Sequence, residues 1–437
     1  MNNTILPFKI EQTKEKLTDR GCLAIIDEFI TGIGLDRQIK ETFPLPGSGR
    51  GIKGFEYIRS LIFHFIDGGR YLEDIYDIKN DEGFCELIKL CNIPTPDAVG
   101  NWLRRSGDNG YVTYLDKSRD YLVKKYFKLS KAKNYIFDVD STLIESNKGD
   151  ALKSYKGITG YHPMLGFLSD GTKAICSYAK FRQGNASAQT EILEGLQHTQ
   201  TLLSENKRIE YFRSDSAAYQ SEIISYCNRE GIKYTITADL DPSVVTSINT
   251  IADSAWKVLH DRKDYFSTKR EYSETIHSME NSDHSFRLIV IREAIEQLPL
   301  FESYSRYKYY CIITNIDREE MDGQRVIWHH NGRGNAERYI EDGKYGLNLR
   351  YLPCGQFNAN AIYYAIGILT YNLIKLLQLS VLPKRWRNSE INTVKRYFFR
   401  LVAKVVNKSR IVRLKLNKGL EEIKNLMLIR EKIYALH

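Results

Sequence analysis

Hydrophobic and polar positions change rhythm along this chain near Asn134. Before that point apolar residues recur at helical spacing: a dense stretch at Gly54 to Ile66 and a shorter amphipathic one at Tyr71 to Ile78 predict helices. Pro94-Thr95-Pro96-Asp97 opens another, with Thr95 placed to cap, Pro96 suited to the first helical position and Asp97 matched to the positive helix end. These short helices end in Trp102-Leu103-Arg104-Arg105 and are compatible with a helix-turn-helix unit or with a helical domain that touches no DNA. Residues 1–130 are expected to form an all-helical N-terminal domain.

After Asn134 the period shortens to two. Tyr135 to Thr142 reads as a strand in which Asp138 and Asp140 point to one face. His162 to Lys180 reads as two strands joined at Asp170-Gly171. A helix from about Ser187 to Glu205 leads to the strand Arg208 to Asp215, a helix around Ser221 to Glu230, and the strand Lys233 to Thr237. This order predicts a mixed α/β sheet with carboxylates at strand ends. Residues 242–305, with the strand Ser285 to Arg292, are expected as an inserted subdomain, so the main domain comprises 131–241 and 306–382. It resumes at Tyr309 to Asn315 and reaches a helix carrying Glu337, for which Asn335 can provide a cap. The most apolar stretch, Ala361 to Leu382, contains Thr370, Asn372, Lys375, Gln378 and Ser380, and so predicts a buried amphipathic helix rather than a membrane span.

Composition sharpens this outline. A chain of 437 residues, 42% hydrophobic and 27% charged, is globular and long enough for two or three domains. The seven cysteines are scattered, with no Cys-x-x-Cys, and read as reduced thiols without a zinc site. The N-terminus lacks a basic-then-apolar secretion pattern, so a cytoplasmic protein is expected. The net charge of +9 is a local property, because residues 383–437 carry fifteen Lys/Arg against four Glu, or +11, leaving −2 elsewhere. In that basic C-terminal region Lys384, Arg385, Arg387, Lys395, Arg396, Arg400, Lys404, Lys408, Arg410, Arg413 and Lys415 alternate with aromatic and aliphatic residues. This is the pattern of a helix and strand packed on the core with cations turned to phosphate.

Three acids from distant segments carry the candidate chemistry: Asp140, Asp215 and Glu337, with Asp138 and Glu341 as alternates. Cleaving a phosphodiester requires an activated nucleophilic oxygen and a stabilised leaving oxygen. Two divalent ions about 4 Å apart can supply both. Hard carboxylate ligands suit Mg²⁺, with Mn²⁺ expected to substitute. Arg333 and Lys344 flank Glu337 as phosphate-binding cations, the first through its fork and the second as a point charge.

As a set these stretches resemble the DDE transposases of bacterial insertion sequences. Arg333, Glu337 and Lys344 match three positions of the Tyr-x2-Arg-x3-Glu-x6-Lys signature of one branch, and His330 stands where that signature has Tyr. Asp138-Val139-Asp140-Ser141-Thr142, Gly160-Tyr161-His162-Pro163, Arg213-Ser214-Asp215-Ser216 and Phe357-Asn358-Ala359-Asn360 are similar to a subgroup related to the piggyBac type. The resemblance selects Asp140 over Asp138 and implies an RNase H-like core with a strand-containing insertion. It implies cleavage at element ends and strand transfer into double-stranded target DNA, by a homodimer or larger assembly and without a membrane. It also suggests Trp256 as a base-stacking residue, whereas His162 is expected only as a satisfied turn histidine. The alternatives are an RNase H-like nuclease that does not join ends and a catalytically silent DNA-binding relative.

Overall fold

The computed structural model describes residues 9–89, 92–263, 266–279, 284–295, 306–409 and 411–437; Cys91 and Arg410 lie outside them. The chain divides into two compact units, Met1–Trp102 with Ser389–His437, and Leu103–Asn388. In chain order the strands are β1 (Leu17–Thr18), β2 (Asn134–Ser141), β3 (Ile144–Glu145), β4 (Leu152–Lys153), β5 (Thr159–Tyr161), β6 (Met164–Ser169), β7 (Ala174–Lys180), β8 (Arg208–Ser214), β9 (Lys233–Ala238), β10 (Lys257–His260), β11 (Ser267–Ser278), β12 (Ser285–Ala294), β13 (Tyr307–Thr314), β14 (Ala403–Lys408) and β15 (Ile411–Leu416).

The Leu103–Asn388 unit is built on a nine-stranded mixed sheet in the order β10-β11-β12-β13-β9-β8-β2-β6-β7. β2, β6 and β7 pair antiparallel in that order; residues 142–163, which carry the small β3-β5-β4 sheet, link β2 to β6, and the short β6–β7 turn closes where Asp170 Oδ1 accepts the Thr172 and Lys173 N–H groups and Gly171 takes φ of +85°. β8 and β9 lie parallel to β2 because each is reached through a helix, Ile192–Leu202 and then Ser221–Arg229. All six residues of β6 are buried, so both faces of the sheet are covered there.

Residues 242–305 extend this sheet, and do not form a separate subdomain in the described part. β12 pairs with β13 and β13 with β9, so β10–β12 continue the main ladder. Leu288, Ile289 and Val290 are each fully buried, so both faces of β12 are covered. Helix Gly323–Asn331 covers one face, packing Val326 and Ile327 on Leu259, Ile289, Ile291 and Ile312, and helix Pro242–Asn249 packs on β11.

Helix Phe357–Ser380 has the length and hydropathy of a membrane span, yet most of it is buried in the protein against helix Val112–Leu129 and β7. Its polar residues have structural work. The Asn372 amide accepts from Cys176 N at 2.9 Å and donates to Cys176 O at 2.8 Å, completing the backbone pairing of edge strand β7. Asn360 does the same for the turn before the helix, bonding Cys354 N and O at 3.0 and 2.9 Å.

In the other unit, helices Ala24–Gly32, Leu35–Thr42 and Gly54–Asp67 enclose Phe29, Ile58, Phe63, Phe65 and Phe84, and Trp102 stacks on Tyr57 at 4.8 Å. The unit is not all-helical, nor does it end at residue 130. β1 pairs with β14 and β14 with β15, while helix Val112–Leu129 belongs to the second unit. A two-residue strand has no periodicity to read, and its partner lies almost the whole chain away.

Residues 389–437 therefore fold with the N-terminal residues rather than on the sheet domain. Lys395 is buried there and donates to Phe65 O at 3.2 Å, and burial pushes its ammonium pKa down to about 8. Arg400 bonds the Asp67 carbonyl at 2.6 Å, and Lys404 is paired with Glu15.

Candidate active site

β2 and β8 run side by side in parallel, with Asp138 registered against Arg213. Each strand continues by two residues to an acid on the same face, Asp140 within β2 and Asp215 just past β8. Asp215 caps the short turn Ser216–Ala218, accepting the Ala217 N–H at 3.1 Å. Asp140 accepts the Ser141 N–H at 2.8 Å and is largely buried. Burial first, then the charge of Asp215, raises its pKa to about 6; Glu337 adds to the rise and Arg333 opposes it.

The third acid arrives on helix Gly334–Gly346, which packs on β2 and β6 and seats Tyr339 on Phe167 at 5.5 Å. Asn335 lies inside this helix and does not cap it; the residue preceding it is Arg333, already helical, because helix Gly323–Asn331 runs into it through Gly332. The Arg333 guanidinium stands between two acids, 3.9 Å from Asp140 Oδ2 and 3.9 Å from Glu337 Oε1. The Glu337 side chain is 61% exposed.

Two residues have other duties than expected. Asp138 is fully buried and takes both arms of Arg213, Nε at 2.7 Å and Nη2 at 2.8 Å, so it faces a guanidinium instead of a metal position. Lys344 donates to Thr142 Oγ1 at 3.2 Å and Leu143 O at 3.3 Å, and burial lowers its pKa. It thereby fastens the helix to the segment just after Asp140. Glu341 is exposed, within electrostatic reach of Lys344.

His330 is a buried anchor. Nε2 meets Thr237 Oγ1 at 3.1 Å and Tyr310 Oη at 3.0 Å, Nδ1 meets Thr235 Oγ1 at 3.2 Å, and burial drives its pKa down to about 3, so it is neutral. His162 lies in the two-residue link between β5 and β6, Nδ1 against Ala186 O at 3.1 Å. Trp256 precedes edge strand β10, and its ring lies 6.4 Å from that of Tyr309 on β13. Its ring is covered by the Arg292 guanidinium at 4.1 Å.

The donor set of Asp140, Asp215 and Glu337 is all oxygen, which suits a hard divalent ion. Among the described residues no three His, Cys, Asp or Glu side chains are already gathered as a cage. Cys22, Cys176, Cys227, Cys311 and Cys354 are buried thiols. Arg213 was not anticipated from the sequence. Its signal was parity, since it precedes Asp215 by the two residues that separate Asp138 from Asp140.

A model of the family described as transposase DDE domain group 1 matches residues 7–437. The chain belongs to this family. As a DDE transposase it is a DNA-acting enzyme in general class. No curated protein matches its sequence. A solved piggyBac transposase, in a synaptic complex with hairpin DNA, is similar with TM-score 0.42 and 9% identity, over 97% of this chain and 82% of that one.

Proposed function

We propose that this DDE transposase cuts DNA at the ends of a mobile element and joins the released 3′ ends to target DNA, using an RNase H-like core. The observation that carries the reading is the meeting of Asp140 and Asp215, from adjacent parallel strands, with Glu337 across the Arg333 guanidinium. The order β7-β6-β2-β8-β9, antiparallel through β2 and parallel beyond it, supports the RNase H-like assignment.

Asp140, Asp215 and Glu337 would hold two Mg²⁺, whose chemistry is to activate an attacking oxygen and to stabilise the leaving one. The pKa of Asp140 is raised first by burial and then by the Asp215 carboxylate, and a bound cation would offset both costs of its charge. Arg333 is placed to turn from the acids to the scissile phosphate, offering two parallel N–H donors.

DNA would be held in part by the β14–β15 hairpin. One of its faces buries Ala403 and Val405; the other carries Lys404, Lys408, Arg413 and Lys415, with Lys404 directly opposite Lys415. Lys404 is already paired with Glu15, so Lys408, Arg413 and Lys415 are the candidates on that face for phosphate. Lys384, Arg385, Arg387 and Arg396 are further candidates for phosphate. Joining two ends calls for a homodimer or larger assembly on DNA, in the cytoplasm at the nucleoid.

The test is cleavage and strand transfer on labelled DNA carrying both flanks of the gene, with Mg²⁺ or EDTA, comparing the native protein with Asp215→Ala. Metal-dependent nicking at a discrete boundary with joined products, both lost in the variant, is the expected result. Cutting without joining would make it a nuclease; binding without cutting would make it a DNA-binding relative.

A further inference from the structure

One guanidinium touches all three segments that carry the acids. Arg213 Nε and Nη2 hold Asp138, two residues before Asp140; Arg213 itself lies two residues before Asp215; and its Nη1 donates to His329 O at 2.9 Å, at the end of the helix that runs on to Arg333 and Glu337. We propose that the buried Asp138–Arg213 pair is a positioning clamp that fixes the mutual placement of Asp140, Asp215 and Glu337.

Three observations bear on this. First, a buried ion pair is a poor stabiliser, because desolvating both charges offsets most of their attraction. Its presence beside the acids calls for another account, and geometry supplies one: a two-armed carboxylate contact fixes the guanidinium plane and aims the remaining arm at His329 O. Second, the path is cut to fit. A Cβ on Gly332 would lie 2.3 Å from Arg213 Nη1, so only glycine at the helix junction leaves room for that arm. Third, the far end of the Glu337 helix is fixed independently by Lys344 on Thr142 and Leu143. The acid-bearing helix is thus tied at one end, through the preceding helix, to the Asp138–Arg213 pair and at the other to the residues just after β2.

Neither Asp138 nor Arg213 touches the reacting atoms in this account; they act through Asp140, Asp215 and Glu337. Groups that orient metal ligands from behind change metal affinity or activity by about 10–100-fold when replaced. The inference rests on the metal-dependent reading above, and the experiment separates the two.

Mn²⁺ binding to the full chain is measured by electron paramagnetic resonance, together with DNA affinity and single-turnover cleavage, for the native protein, Asp140→Asn, Arg213→Lys and Gly332→Ala. Lysine keeps the charge opposite Asp138 but cannot hold the carboxylate with two arms and reach His329 O as well. Gly332→Ala displaces the guanidinium without altering charge. Both variants are expected to bind Mn²⁺ about tenfold or more weakly and to cleave correspondingly slowly at limiting metal, with DNA affinity unchanged and activity partly restored by excess Mn²⁺. Should Arg213→Lys fail to fold, judged by circular dichroism, Gly332→Ala decides. Native-like Mn²⁺ binding and cleavage in the folded variants would overturn the clamp while leaving the active site standing. A native protein whose Mn²⁺ binding is absent, or unaffected by Asp140→Asn, would overturn both.

Discussion

Removing the charge of Asp140 should abolish cleavage and at the same time stabilise the metal-free protein. The folded-state pKa is about 6, against 3.8 for the ordinary carboxylate, so the folded chain holds the proton more tightly than the unfolded one. Relative to strongly acidic solution, where both states are protonated, the group loses stability as pH rises, and the loss is complete once pH passes 6. The cost at pH 7.5 is about 3 kcal/mol, from roughly 2.2 pH units at 1.36 kcal/mol each. Asparagine keeps the oxygen that accepts the Ser141 N–H and carries no charge, so Asp140→Asn should recover most of that amount. Thermal unfolding in EDTA at pH 7.5 and pH 5 measures it. The variant should melt several degrees higher at pH 7.5, with the gap narrowing at pH 5, and Mg²⁺ should raise the melting temperature of the native protein alone. A variant that melts at or below the native temperature in EDTA at pH 7.5 would refute the reasoning, since Asp140 would then be a stabilising carboxylate.

Asn372→Leu should destabilise the Leu103–Asn388 unit by about 2–6 kcal/mol, because two buried backbone groups of Cys176 lose their partner at about 1–3 kcal/mol each; chemical denaturation checks this. Replacing Lys408, Arg413 and Lys415 together by Gln should weaken DNA binding and flatten the salt dependence of log K by roughly 2–3, at about 0.9 per phosphate contact, read by fluorescence anisotropy across a salt series. Lys395→Met should leave that slope unchanged, since Lys395 is buried against Phe65 O, and a slope reduced by a full contact would show that this lysine reaches DNA. Arg333→Ala should reduce cleavage more than Arg333→Lys, because only the loss of the cation leaves the phosphate without a charged partner, and single-turnover rates distinguish the two.

Much of the core was legible because its rules are local. A period of two fixed which face of β2 carries Asp138 and Asp140, and the Asp170-Gly171 pair fixed the β6–β7 turn. Helices lying between strands made β8 and β9 parallel to β2 and brought Asp215 beside Asp140. Spacing on one helix set Arg333 beside Glu337. What the chain by itself did not determine depends on partners remote in sequence. Asp138 and Asp140 are indistinguishable by pattern, and only the register that sets Arg213 against Asp138 makes one an ion-pair member and leaves the other beside Asp215 and Glu337. Lys344 reads as a phosphate ligand until Thr142 and Leu143 are seen to hold it.

Lys395 belongs to a charge run that composition treats as surface, yet packing placed it inside. The polar residues of Phe357–Ser380 argued against a membrane span, but that Asn372 serves as the missing edge partner of β7 follows only from where the helix docks. β1 and the β14–β15 hairpin meet across nearly the full length of the chain, and their contact leaves no periodic trace in either segment. Sequence determines the face a side chain points to; tertiary structure decides what it meets there, because burial, register and charge compensation are properties of pairs.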